Sequence, residues 1–500
     1  MRFVFPFRAL PFFLLLFLVS PVAAQTRPAK PPKTLSANDI LKKYVRALGE
    51  EKAVKAAPAT SFTGTADGGR FTLDLQAPNR ARLEILLDAD RRAFASNGSS
   101  AWQATGRDGA ATLVDDAARI QKLMAALLAE RKFDLKKQAV NARSLPLAQI
   151  DGKTCYAVEF QSRQRVTARM YFDAATFLPV RLEGGEGDGL RRFEFADFRP
   201  VDGIREPFRI QFQSGNGAPV ALAVERVSHA PGFAENHFDV PATAADVDLT
   251  ALFARIGVNQ KKLDERVTDY TYILTESVRK LDGDGKVKDT EIKVYEVYPL
   301  PGGVRARKLV SVNGKPLSPG DAEKEARRVA KFTEENEERQ KKKKESKAED
   351  DDNAKRRQPS ISDFLRACEF YNPRLETLRG REVIVCDFRP RKNFKPGNDA
   401  EKILNKLVGT VWVDRTDEEV SRLEGRFDSD FKVGGGLVAS LKRGAAFTYE
   451  QTRTAEGVWL PLREDFNAGI KIFLVAGLNV SVENQYSEYK RFTTSVQDEK

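Results

Sequence analysis

A motif carried twice restricts this chain more than any other feature. Gly152-Lys153, with Glu159-Phe160 eight residues after the glycine, returns as Gly380-Arg381 with Asp387-Phe388. Asp173 precedes Arg181-Leu182-Glu183 as Asp414 precedes Arg422-Leu423-Glu424. Arg199-x-x-Asp202-Gly203-Ile204-x-x-Pro207-Phe208-Arg209 returns as Arg453-x-x-Glu456-Gly457-Val458-x-x-Pro461-Leu462-Arg463. Three ordered matches of one strand–turn–strand pattern are hard to reach by chance. Their separation far exceeds the 20–50 residues of a solenoid repeat, so the pattern reads as duplication of a domain. The local period agrees with strands: Phe71, Leu73 and Leu75 alternate with polar residues, as do Phe208, Ile210 and Phe212. One wet and one buried face suits antiparallel sheets. Asp151-Gly152, Asp202-Gly203, Asp282-Gly283 and Asn313-Gly314 supply tight-turn chemistry between strands.

At 500 residues the chain is long enough for two cores. Residues 1–24 have the layout of a secretory signal peptide: Arg2 and Arg8, the apolar run Leu10–Val19, then Val22-Ala23-Ala24 before Gln25. That run is shorter than the roughly 20 residues a spanning helix needs, so cleavage and export are expected, with the periplasm as destination. Residues 25–33 form a Pro-rich spacer, 34–245 a first domain, 246–257 a linker or short helix, and 258–496 a second domain. The net charge of +11 is spread among interleaved acids. It permits peripheral contact with a membrane surface, but it lacks the aromatic–basic periodicity of a nucleic-acid binder.

Two helices are legible in the first domain. Ser36 caps one reaching Gly49, with Ile40, Leu41, Tyr44, Val45 and Leu48 on one face. The other runs over 115–132, striped by Ile120, Leu123, Met124, Leu127 and Leu128. The second domain carries a charged helical insertion, 318–358, nearly without an apolar face, which reads as a solvated helix or as a docking site for an envelope protein partner.

Little in the chain points to catalysis. His229 and His237 are the only histidines, neither has metal-ligand spacing to a cysteine, and the stretch from Asn236 to Phe238 reads as the end of the last strand of the first domain. No phosphate-cradling loop and no nucleophile elbow occurs. Gly434-Gly435-Gly436 reads as a flexible loop. Asp282-Gly-Asp284 opens like a calcium loop but has Lys293 where the bidentate Glu belongs, so it reads as a hairpin turn. We expect no enzyme activity, no cofactor and no metal. Cys155, Cys368 and Cys386 are the three cysteines. An oxidising compartment permits a Cys368–Cys386 bridge, and three buried thiols are the alternative.

Several segments together resemble the LolA/LolB-like periplasmic lipoprotein-sorting fold. They are the helix ending at Leu48-Gly49, Asn97-Gly98-x-x-x-Trp102, Tyr171-Phe172-Asp173, Leu178-Pro179-Val180-Arg181 and Asp197-Phe198-Arg199-x-x-Asp202-Gly203-x-x-x-Pro207. The resemblance covers most of the first domain and reaches the second through the repeat. It implies a mainly β fold with α (α+β): two tandem curved antiparallel β-sheet half-barrels, each with covering helices. It further implies binding of lipid acyl chains or lipoproteins, with ligand contacts from inward positions such as Leu123, Leu127, Met170, Phe172, Phe193, Phe195, Phe208 and Ile210. Ordinary core packing is the competing role for each. Duplication and the charged insertion depart from a plain carrier and bring a dry-cored envelope scaffold into contention.

Overall fold

A computed structural model describes residues 34–491 apart from 88–89, 107–109, 132, 134–139, 242–246, 268, 283–286, 346–360, 398, 434–438, 442, 469 and 473–478. The signal peptide, the Pro-rich spacer, residues 283–286 of the turn that follows Asp282, the glycine run and residues 346–358 of the insertion fall outside them.

The described chain is mainly β, built around two large antiparallel sheets, neither of them closed. In the first, of fourteen strands, the chain runs outward from Ala59–Ala66 through Gly69–Gln76, Arg80–Leu87, Asp90–Ser96 and Ala101–Thr105 to an edge at Ala111–Thr112. It crosses by a helix and returns from Val140–Ser144 through Lys153–Ser162, Thr167–Asp173, Pro179–Gly184, Arg191–Val201 and Ile204–Ser214. The last strand, Val220–His229, pairs with the first. The second sheet, of eleven strands, follows the same path. It runs outward from Tyr270–Leu281 through Val287–Leu300 and Val304–Val312 to Lys315–Pro316. It returns from Cys368–Leu378 through Arg381–Pro390, Leu407–Asp414, Val420–Phe427, Ala446–Arg453 and Trp459–Ala468, and its last strand, Asn479–Arg491, pairs with Tyr270–Leu281.

The repeated residues occupy matching places on these paths. Gly152 and Gly380 turn the chain into the corresponding strands Lys153–Ser162 and Arg381–Pro390 with φ of +77° and +78°. Asp173 Oδ1 accepts from the backbone N–H groups of Ala175 and Thr176, and Asp414 Oδ1 accepts from those of Thr416 and Asp417. The aspartates are therefore repeated because each closes the same side-chain turn at the end of its strand.

Helix α1 (Ala37–Leu48) begins at Ser36, whose side chain accepts from the Asp39 N–H, and it is followed by the short α2 (Glu51–Ala56). Helix α3 (Asp115–Ala129) lies across the first sheet. Helix α4 (Leu249–Val267) begins inside the stretch read as a linker. Its Leu252, Phe253 and Ile256 pack on Ile384, Cys386, Val411 and Val413 of the second sheet. Helix α5 (Pro319–Glu345) opens the charged insertion; α6 (Ile361–Ala367) and α7 (Asp399–Leu404) cover the same apolar face of the second sheet as Phe388 and Phe427.

One expectation needs correction, and two open readings are settled by the structure. Residues 235–238 are turn, not strand; the last strand of the first sheet ends at His229. What holds the following tail is Trp102, whose Nε1 donates to the Phe238 carbonyl at 3.0 Å. Helix α5 is mostly exposed and touches the sheet at few points: Val329 is buried, and the Leu309 N–H donates to Glu325 Oε1 at 2.7 Å. The cysteines are free and buried. Cys368 stands opposite Pro390, four residues along the strand from Cys386, about 13 Å at strand rise where a bridge needs Cα atoms within about 7 Å. Burial pushes both thiols up to about 12.

Candidate functional site

Helix α3 has two clients. One face, with Leu123, Met124 and Leu127, is buried in the apolar interior of the first half together with Ile40, Leu41 and Tyr44 of α1. The opposite edge, with Asp115, Arg119 and Lys122, meets the second sheet. The 3.6-residue period places these two sets on different sides of the helix.

The residues expected to contact a ligand fall within the first of these surroundings. Leu123, Leu127, Met170, Phe172, Phe193, Phe195 and Ile210 belong to one buried cluster, and Phe208 lies half-buried at its margin beneath the Arg199 guanidinium, 4.5 Å from the ring centre. Their neighbours fill most of the volume. Phe212 packs between Phe94 and Phe193 at ring separations of 4.9 and 4.8 Å. A space of about 20 Å³ remains beside Met124, Leu128, Phe193 and Phe212.

The second sheet turns a polar face toward α3. Ser277, Glu483, Asp465, Thr448, Glu424, Thr410 and Asp387 stand directly opposite one another on seven neighbouring strands. Carboxylates in one row repel unless cations separate them. Arg279 pairs with Glu483 at 3.1 Å, and Arg463 lies 3.4 Å from Asp465 and 3.3 Å from Glu483. Arg422, 1% exposed, bonds Glu450, Glu424 and, across the joint, Asp115 at 3.0 Å. Burial disfavours the Glu424 carboxylate, yet Lys122 and Arg422 outweigh it and hold the group below its ordinary range.

Further contacts tie the halves together. Arg119 reaches Asp465 at 3.5 Å, and Lys122 reaches Glu424 at 3.6 Å. Arg426 Nη2 donates to the Gly98 carbonyl at 3.0 Å, and Thr112 Oγ1 donates to Glu376 at 2.6 Å. Val114 adds an apolar contact with Val383, Val385 and Trp412. Sequence reasoning missed this face, although the alternation that marks Glu424, Thr448 and Asp465 as wet positions was available.

Two hollows lie along the joint. One, of about 440 Å³, is lined by charge: Asp115, Asp116, Arg119, Arg165, Arg279, Arg463, Asp465 and Glu483. The other, of about 100 Å³, lies between α3 and the Val420–Phe427 strand. The histidines are engaged elsewhere. His229 bonds Glu206 at 2.7 Å and Asp202 at 3.2 Å, and His237 bonds Asp74 at 2.7 Å. Among the described residues no group of three or more His, Cys, Asp or Glu could hold a metal ion, and no helix is long and apolar enough to cross a membrane.

The architecture thus defines a mainly β chain of two open antiparallel sheets joined through a shared helix. Solved structures similar to it include a LolA superfamily protein from Nitrosomonas europaea, at 15% identity over 41% of this chain and 98% of that one, with a TM-score of 0.27. An outer membrane lipoprotein-sorting protein domain from Vibrio parahaemolyticus is similar at 13% identity over 40% of this chain and 97% of that one, with a TM-score of 0.24. The Pseudomonas aeruginosa MucA/MucB complex spans more, 91% of this chain and 99% of that one, at 10% identity and a TM-score of 0.17. No family model and no curated protein matches the chain.

Proposed function

We propose that this is an exported, non-catalytic envelope protein, a tandem duplication of one half-barrel unit, that binds the acyl chains of a lipid or lipidated protein. The observation that supports this best is the apolar interior of the first half. It is roofed by α1 and α3, and α3 keeps an unfilled space beside Met124 and Leu128. An acyl chain enters there by displacing α3 from Phe193 and Phe212. Each methylene it buries contributes about 0.8 kcal/mol, so a single chain gives useful affinity without any catalytic group. Native mass spectrometry of the mature protein from membrane-containing cells is expected to show lipid adducts. A clean protein mass together with no uptake of a fluorescent fatty acid would sink the reading.

A second reading draws support from how fully that interior is packed, with Phe160, Phe172 and Leu182 showing no exposure. In it the chain is an envelope scaffold whose partners meet the charged insertion. Deleting 323–357 then abolishes partner capture and leaves fatty-acid uptake unchanged, whereas a carrier loses uptake only when the α3 interior is altered.

A further inference from the structure

The hollow of about 100 Å³ between α3 and the second sheet has an unbalanced lining. Arg119, Lys122, Arg163, Arg426 and Arg443 surround it, and Glu424 is the one carboxylate among its lining residues. Arg119 is engaged with Asp116 and Asp465, and Glu424 already serves Arg422. Three cations face the space without a carboxylate within 3.5 Å among the described residues, although Asp430 favours the charge of Arg163 and Asp428 that of Arg426. Lys122 has the Ser99 carbonyl at 3.3 Å and Glu424 at 3.6 Å. Arg426 has the Gly98 carbonyl, and the Arg163 Nε is buried with no hydrogen-bond partner. Burial lowers the affinity of all three for their protons, and at Arg426 the neighbouring Arg443 adds to it. Cations are rarely gathered out of water without an anion to pair with, because the desolvation goes unrepaid.

The rest of the lining is apolar. Leu123, Ala126 and Val140 form one wall, and Phe447 contributes to another. A hollow of this size has room for a small oxyanion group. Guanidinium groups recognise tetrahedral and planar oxyanions through paired N–H donors, and lysine adds a point charge.

We propose that Lys122, Arg163 and Arg426 form a binding site for a phosphate-type oxyanion, on the flank of α3 whose Leu123 also belongs to the apolar interior. Resting on the lipid-binding reading, this assigns the ligand class as an anionic amphiphile, with its charged group at the joint between the halves and its chain directed along Leu123 and Ala126.

The test is calorimetric titration of the full mature chain with three probes: inorganic phosphate, short-chain phosphatidic acid and a neutral alcohol of the same chain length. Arg163→Gln is the main variant because its Nε makes no bond to lose, and Lys122→Gln is the second; thermal unfolding checks that each is folded. The expected result is tightest binding of phosphatidic acid, weakened at least tenfold in both variants, with alcohol binding unchanged. If phosphate binds as tightly as phosphatidic acid and the alcohol does not bind, the oxyanion site stands with a free phosphate as its source, and the lipid reading fails instead. The proposal is overturned if neither anion binds, or if both bind with no change in Arg163→Gln.

Discussion

At the scale of single residues, the clearest leverage lies in the buried Arg131–Glu206–His229 chain. Arg131 Nη1 donates to Glu206 Oε1 at 2.5 Å, and the same oxygen faces His229 Nε2 at 2.7 Å. The hydrogen bond to Glu206 raises the His229 pKa, against burial and Arg131. Glu206 itself is held low by Arg131 and His229 in spite of burial. For a raised histidine, the stabilisation is complete below the unfolded value of about 6.5 and disappears as pH climbs through the folded value. Denaturant midpoints of the native chain are therefore expected to fall from pH 6 to pH 9 more steeply than those of His229→Gln. Equal slopes would show that His229 carries no linkage.

At the scale of elements, two glycines on the second sheet let aromatic rings lie flat over the backbone. Gly409 and Gly425 face each other, with Phe388 beyond one and Phe447 beyond the other. A Cβ on Gly409 would meet the Glu424 backbone carbonyl oxygen at 1.9 Å and Phe388 ring carbons at 2.7 and 2.8 Å. Gly409→Ala is expected to cost about 1–3 kcal/mol in urea unfolding, the usual range for overpacking; a neutral substitution would mean that the neighbouring strand and the ring both give way freely. Sequence pattern disclosed elements unevenly. The Ser36 cap, the α3 stripe and the hairpin turns were plain because their signals are local. Helix α4 was half hidden, since Leu252, Phe253 and Ile256 give too short a stripe to tell a linker from a helix. The tail at 231–240 was misjudged because Phe238 is held by Trp102, a partner 136 residues away that no periodicity encodes.

At the scale of the whole molecule, alternation told which face of the second sheet is polar but not what covers it. Asp387 and Asp465, read locally, are solvent positions; in the fold they are 0% and 2% exposed because the other half closes over them. The joint should therefore fail where its charges are uncompensated. Arg422→Ala removes the cation shared by Glu424, Glu450 and Asp115 and leaves Lys122 and Arg379 to hold the first two, so the loss is expected to fall below the roughly 3–5 kcal/mol of a fully broken buried pair. Calorimetry is expected to show one heat-absorption peak for the native chain and two for the variant. A single shifted peak would mean the halves are held mainly by Thr112, Val114 and Arg426.

Because α3 answers to two sheets at once, it cannot tilt to admit a guest on one side without dragging Arg119 and Lys122 across the carboxylate row on the other. A guest that displaced α3 in the first interior would thus also disturb the ion pairs that Arg119 and Lys122 make at the joint.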